Sequence, residues 1–314
     1  MEYRRLGGSG LQVSAIGLGT NQFGGRLDEG QSAQVVHQAT ELGINFIDTS
    51  NSYGRGLSEE YIGKAVKGRR EDVLIATKVF SSTGEGPNRR GASRAHILRE
   101  VEASLRRLQT DYIDLYQMHY YDPNTPVEET LRTLDDLVRH GKVRYIGCSN
   151  YAAWQVCEAV WTSRMLRLEQ FVSVQPEYNL LNRSAERELV PFCKAYNMGV
   201  IPFYPLASGF LTGKYRPDAP PPEGTRLALN PRSRGRFLTE GNFAVLARLE
   251  KFGTERGHTV GELAIAWLLA NPVVSSVIAG ATRPEQVAAN VKAADWRLTP
   301  EEMAELEKLL GEGT

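Results

Sequence analysis

Eight short apolar runs, each followed by a stretch of helical periodicity, constrain this chain more than any other feature. The runs lie at 14–19, 44–48, 73–78, 112–118, 143–148, 171–175, 199–203 and 274–279. Each is long enough for a strand buried on both faces and too short for a typical helix. Between them apolar residues recur at helical spacing near 30–42, 58–68, 93–108, 126–140, 151–163, 184–196, 259–270 and 284–293, and a last helix is expected from Thr299. In 93–108, Ile97, Leu98, Val101, Leu105 and Leu108 fall on one face. Thr125-Pro126-Val127-Glu128 and Thr299-Pro300-Glu301-Glu302 each offer a capping threonine, a proline at the first helical position and a glutamate at the third. Alternating strands and helices imply parallel strands joined by right-handed crossovers. An open doubly wound sheet alternates too, but eight units in 314 residues favour a closed (β/α)8 TIM barrel occupying 1–314 as a single domain. Residues 2–13 predict an N-terminal β-hairpin turning at Gly7-Gly8-Ser9-Gly10.

One segment breaks the rhythm. The stretch from Phe203 to Gly280 is roughly twice the usual spacing between strand ends, and structureless loops of such length are unusual in compact domains. It contains Pro217, Pro220, Pro221 and Pro222, then Arg226, Arg232, Arg234 and Arg236, with an extra helix predicted over 240–256. The expectation is a long loop plus extra helix after the seventh strand, its basic residues closing over an anion.

Composition narrows the classes. Lys plus Arg and Asp plus Glu are equal at 37 each, so no net field favours nucleic acid or an anionic membrane as partner. Cys148, Cys157 and Cys193 have no metal-site spacing and cannot all pair. With no apolar leader after Met1 and no apolar run of membrane-spanning length, a cytoplasmic protein without metal is expected.

Barrel enzymes work at the carboxyl ends of their strands. Those ends read Asn21, Asp48, Lys78, His119, Ser149-Asn150, Gln175, Phe203 and Gly280-Ala281-Thr282. Taken singly, Asp48 reads as a turn residue, Lys78 as a strand terminus and His119 as a core histidine. Neighbouring barrel strands would instead set Asp48 beside Lys78, with Tyr53 above the pair and His119 one strand further. The carboxylate keeps the lysine charged, and the ammonium is expected to lower the pKa of the phenol. Tyr53 then reads as a general acid and His119 as a donor to a carbonyl oxygen. That is carbonyl reduction, and it needs a hydride donor that no side chain supplies. Gly17-Leu18-Gly19 lacks the third glycine of a dinucleotide fingerprint, and Gly209…Gly213-Lys214-Tyr215 is no P-loop. A helix opening at Ile278–Arg283, after the last strand, suits a phosphate instead.

These residues resemble the aldo-keto reductases over 2–310, in the branch of bacterial general-stress reductases and potassium-channel β-subunits. The matching motifs are GINFIDTSNSYG (43–54), Thr77-Lys78, LYQMHYYD (115–122), GCSN (147–150), VQPEYNL (174–180), PLASGFLTGKY (205–215) and IAGATRPEQVAAN (278–290). The resemblance implies a catalytic tetrad of Asp48, Tyr53, Lys78 and His119, and NADPH bound without a Rossmann fold. It implies Ser149, Asn150 and Gln175 at the nicotinamide carboxamide, Phe203 stacked on the ring, Thr20 and Asn21 beside the ribose and nicotinamide, and Asp48 among the cofactor-binding residues. Tyr204, Pro205, Leu206 and Gly280 would border the same path. Lys214, Arg226, Thr282 and Gln286 would serve the 2′-phosphate end, and Asn290 the adenine. This chain departs from the usual pattern at Phe203 (commonly Tyr or Trp), Ala289 (often Glu) and Asn21 (often Trp).

The function implied is NADPH-dependent reduction of aldehydes or ketones to alcohols, with a small-molecule carbonyl as partner. Two alternatives stand beside it: an NADPH-sensing regulatory subunit of a membrane protein with slow turnover, and a barrel aldolase using Lys78 as a Schiff-base nucleophile. Phe23, Tyr120 and Tyr121, with Tyr53 and His119, are expected to line the substrate mouth. No heptad seam sets an oligomeric state.

Overall fold

The computed structural model describes residues 1–311. The chain opens with an antiparallel hairpin, β1 (Tyr3–Arg5) and β2 (Gln12–Ser14). Eight parallel strands follow: β3 (Ile16–Gly19), β4 (Phe46–Asp48), β5 (Leu74–Val79), β6 (Ile113–Met118), β7 (Val143–Ser149), β8 (Phe171–Gln175), β9 (Gly199–Val200) and β10 (Val277–Gly280). Each pairs with its successor up to β9, and β10 pairs with β3. The ring is completed by bridges Val200–Val274 and Phe203–Ile278, supported by Val200 N donating to Val273 O and Ile278 N to Pro202 O. The structure is therefore the (β/α)8 barrel expected from the alternation.

The outer layer contains α1 (Glu29–Glu41), α2 (Leu57–Ala65), α3 (Arg94–Leu108), α4 (Val127–Arg139), α5 (Ala153–Leu166) and α6 (Leu189–Tyr196). The long crossover forms α7 (Arg226–Leu229), α8 (Pro231–Phe237) and α9 (Glu240–Thr254), and α10 (Val260–Ala270), α11 (Pro284–Ala293) and α12 (Pro300–Gly311) close the chain. α3 buries Ile97, Val101, Leu105 and Leu108 as its spacing requires, with Leu98 half-buried. α10 is apolar all round and buries Leu263 through Leu269, because α9, α11 and β10 all pack against it.

Four details differ from the sequence reading. Regular pairing in β9 stops at Val200, since Pro202 has no N–H to give a ladder, and Phe203 reaches the sheet only through isolated bridges. The helix expected over 184–196 splits into a 3₁₀ turn at Ser184–Glu186 and α6, because Pro191 is tolerated only in a first turn. Thr125 does not cap α4: the cap position is Pro126, and the Thr125 hydroxyl donates to Asp122 Oδ2 at 2.9 Å. The segment after β9 is also more helical than a plain loop, with Asn230 capping α8 ahead of Pro231. At α12 the expected box is present, Thr299 N donating to Glu302 Oε2 at 2.8 Å and Glu302 N to Thr299 Oγ1 at 3.2 Å.

Most of the core lies between strands and helices. A smaller cluster fills the barrel interior, where Leu6 and Val13 of the hairpin meet Phe46, Ala76, Leu115, Ile201 and Ile278. Gly7 lets the hairpin seat this closely: its φ is 56°, and a Cβ there would overlap the Val172 carbonyl oxygen. With the barrel plugged by these apolar side chains, polar groups gather at the carboxyl ends of the strands.

Candidate active site

β4 ends in Asp48 and β5 presents Lys78 beside it. Lys78 is fully buried and Asp48 is 3% exposed, so neither charge is solvated by bulk water. Lys78 Nζ donates to Asp48 Oδ2 at 2.6 Å and to Thr49 O at 2.9 Å. Asp48 Oδ1 accepts from Gln175 Nε2 at 2.8 Å and Gln117 Nε2 at 3.2 Å. Gln117 faces Lys78 in the β5–β6 register, and Gln175 ends β8. Burial is the largest single influence and works against the lysine's charge, but the attraction and hydrogen bonds of Asp48 and Tyr53 together leave the Lys78 pKa raised.

The loop after β4 is tied down at every step. Thr49 N donates to Ala76 O, Asn51 N to Lys78 O and Tyr53 N to Ser50 O. Thr49 Oγ1 lies 2.8 Å from Ser58 Oγ, and Asn51 Nδ2 donates to the buried Glu100 at 3.0 Å. Gly54 has φ 56°, and a Cβ there would stand 2.6 Å from the Phe23 carbonyl oxygen, so the turn beyond Tyr53 needs glycine. The result is a half-buried Tyr53 whose Oη lies 3.5 Å from Lys78 Nζ. The phenol pKa is raised, not lowered as the sequence reading expected. Burial is the dominant cause, and the opposing charge of Lys78 recovers only part of it. At neutral pH Tyr53 carries its proton.

His119 follows β6, its backbone N donating to Val79 O at 2.9 Å. Its ring stacks on Tyr120 at 4.8 Å and meets Tyr53 edge-on at 6.0 Å. Burial, and then the Lys78 charge, push its pKa down to about 3, so the imidazole is neutral at physiological pH.

These groups lie at one end of a cavity of about 1150 Å3. Every residue assigned to the cofactor by resemblance lines it, from Thr20 and Asn21 through Ser149, Asn150 and Phe203 to Thr282, Gln286 and Asn290. Two of the five residues assigned to the substrate mouth do not. Phe23 is fully buried in the outer core, and Tyr121 turns away to pack edge-on against Tyr151 and Trp154. Tyr120, 44% exposed, does line the cavity, as do Tyr53 and His119.

Along the cavity wall four cations converge at Lys214, one of them, Arg226, near enough to Tyr53 to interact with it. Lys214 has its pKa lowered by burial and by the charges of Arg26, Arg226 and Arg283, and no carboxylate pairs with any of the four among the described residues. Arg226 Nη2 donates to Asn21 Oδ1 at 2.8 Å, and Arg26 donates to the Gly224 carbonyl, strapping the long crossover to the loop after β3. Thr282 N donates to Gln286 Oε1 at 2.8 Å, closing the turn into α11. Clustered, unpaired, partly dehydrated cations are unfavourable unless an anion joins them. This part of the cavity therefore suits a phosphate, and the arrangement as a whole suits an extended nucleotide.

The sequence reading did not assign Gln117, Ser50, Arg26 or Arg283 to the site. Gln117 was visible as a polar residue inside an apolar strand; Arg26 lies in a loop whose path only the tertiary structure reveals.

Comparison with known proteins identifies the family. Residues 15–310 match the model of the aldo/keto reductase family, and the chain belongs to that family. It is 41% identical to a Bacillus subtilis (strain 168) protein named "Uncharacterized oxidoreductase YrpG", over 96% of this chain and 93% of the relative. It is 39% identical to a "Probable voltage-gated potassium channel subunit beta" of Oryza sativa subsp. japonica, covering 99% and 97%. It is 33% identical to the "L-glyceraldehyde 3-phosphate reductase" of Escherichia coli (strain K12), covering 100% and 93%. The protein is thus an oxidoreductase of a family that generally uses nicotinamide dinucleotides.

The unequal support of the two ion-pair partners has a consequence for stability. Asp48→Ala strands a buried ammonium with one carbonyl and one phenol, and is expected to cost about 3–5 kcal/mol. Lys78→Met leaves Asp48 with two amide donors and is expected to cost distinctly less. Urea unfolding of the two variants should separate them in that order; equal losses would show that the glutamines do not support the carboxylate.

Proposed function

We propose that this protein reduces aldehydes or ketones to alcohols with NADPH, using Tyr53 as the proton donor. The observation carrying this reading is the meeting of a protonated phenol and a neutral imidazole at one point of the cavity wall, directly over the buried Lys78–Asp48 pair.

A bound nicotinamide cofactor would supply hydride to the carbonyl carbon. Everything else in the reaction concerns the oxygen, where negative charge grows as the carbon is reduced. His119 is uncharged and gives that oxygen a hydrogen bond. Tyr53 gives it a proton, producing the alcohol and a phenolate. The phenolate forms beside Lys78 Nζ, whose charge is held on by Asp48. The raised phenol pKa fits this role: the donor is fully loaded at neutral pH and releases its proton only to the strongly basic oxygen of the transition state. Asp48 transfers no proton; it keeps Lys78 charged. That same charge argues against the aldolase alternative, since a Schiff-base lysine must be free amine.

The polar ends of β7 and β8, Ser149, Asn150 and Gln175, are proposed to hold the carboxamide, and Phe203 to cover the ring face. Gln175 spends its Nε2 on Asp48, so its oxygen is the group left for a carboxamide N–H. The preference for NADPH rests on Lys214, Arg226, Arg26 and Arg283 around the proposed 2′-phosphate position.

The name of the rice relative favours a second reading, a cofactor-binding subunit that regulates a channel. Among the described residues no helix is long and apolar enough to cross a membrane, so such a role would need a separate membrane partner. Turnover distinguishes the two, since a kcat far below the roughly 1 s⁻¹ lower range of ordinary enzymes would favour regulation.

Tyr53→Phe removes one oxygen atom and is expected to reduce turnover about 10²–10⁴-fold while leaving NADPH quenching of protein fluorescence intact. Turnover at the wild-type rate in that variant would end the assignment. Lys214→Ala is expected to raise the KM for NADPH about tenfold or more while hardly changing that for NADH, one lost charge-assisted contact being worth about 1.5–3 kcal/mol. Parallel increases for both nucleotides would place the 2′-phosphate elsewhere.

A further inference from the structure

His119 has only one N–H in its neutral form, so its usefulness to a carbonyl oxygen depends on which nitrogen carries it. Nδ1 lies 3.3 Å from the Oγ of Ser50, two residues after Asp48 and fully buried. Nε2 has no protein partner among the described residues, and the ring lines the cavity.

The Ser50 hydroxyl has one proton and two lone pairs, and its neighbours determine how they are used. Ser52 N–H lies 3.3 Å away and can only donate, occupying one lone pair. Ser52 Oγ, at 3.1 Å, can donate into the second. Asn51 Oδ1 competes for the remaining proton only at 3.5 Å, the limit of a hydrogen bond. With Ser52 Oγ as the donor of that pair, the Ser50 proton is free for Nδ1. An accepting Nδ1 leaves the ring hydrogen on Nε2. In that arrangement the relay runs Ser52 to Ser50 to His119 Nδ1, starting at Ser52, a residue of the cavity wall.

We propose that Ser50 is a positioning residue for His119: its hydroxyl fixes the imidazole as the Nε2–H tautomer and points the ring's single N–H at the carbonyl oxygen. The stack on Tyr120 and the edge contact with Tyr53 set the ring plane, but neither distinguishes the two nitrogens. Among the described residues the contact with Ser50 Oγ is the one that does so. Burial and the nearby Lys78 charge keep the ring neutral, so a second N–H cannot compensate for a wrong tautomer. The last step of the inference, donation to a substrate oxygen, rests on the carbonyl-reductase reading; the tautomer itself does not.

The test is nitrogen-15 histidine NMR of the whole protein with NADPH bound, the His119 signal assigned with His119→Gln. Wild type is expected to show the Nε2–H pattern. Ser50→Ala is expected to lose it in part or whole, and Ser50→Thr, which keeps a hydroxyl, to restore it. With p-nitrobenzaldehyde as probe, Ser50→Ala should lower kcat about tenfold, less than outright loss of an oxyanion donor costs, and leave the Kd for NADPH within about twofold, since Ser50 itself does not line the cavity. An Nδ1–H pattern in wild type overturns the proposal. So does an unchanged Nε2–H pattern in Ser50→Ala. Tyr53→Phe turning over normally would remove the reductase reading yet leave the tautomer result standing, so the two failures are distinguishable.

Discussion

The ion pair between Lys78 and Asp48 is the interaction on which the site depends. Neither partner reaches bulk water, and dehydrating two charges costs several kcal/mol each before their attraction returns anything. The 2.6 Å contact alone does not explain why such a pair persists; its surroundings do. Gln117, Gln175, the Thr49 carbonyl and the Tyr53 hydroxyl are their further hydrogen-bond partners, so two strands and one loop converge on two side chains. A pair of hydrophobic residues would fill that space with less penalty, so a chemical role accounts for it better than stability.

The role proposed for it is to hold a fixed positive charge beneath the Tyr53 phenol. Two parts of the cavity use charge in opposite ways. Beside Tyr53 one cation is neutralised by a carboxylate and acts over 3.5 Å on one hydroxyl. Around Lys214 several cations have no carboxylate and oppose one another, which leaves them suited to an incoming anion. His119 lies near the first, and the charge there is one reason it stays neutral. A single buried lysine thus influences both groups proposed to face the carbonyl oxygen, one by attraction and one by repulsion.

Much of this was legible in the chain itself. Eight apolar runs of strand length specify a barrel because period and count are properties of the sequence, and a barrel specifies which ends of its strands meet. Asp48, Lys78 and His119 could be placed together on that ground alone. Three readings failed for physical reasons. Phe23 follows a strand end, but Gly24 and Leu27 fold its loop back, the Gly24 N–H meeting the Leu27 carbonyl, and its ring enters the core. Tyr121 follows His119 by two residues, and side-chain direction there is set by Tyr151 and Trp154 on the next unit, which no local pattern announces. The direction of the Tyr53 shift was misjudged because the charge of Lys78 was visible in sequence and the degree of burial was not. Ser50 was unread because a serine in a polar loop carries no signal until its neighbour across the barrel is known.

The most direct test of the central claim is the pKa of Tyr53, followed by carbon-13 tyrosine NMR in wild type and in Lys78→Met. If the ammonium opposes the burial of the phenol, its removal leaves burial and Asp48 acting together, and the Tyr53 pKa rises further while turnover falls. A Tyr53 pKa that is the same in both proteins would contradict the account, because the buried pair would then have no hold on the proton it is said to control.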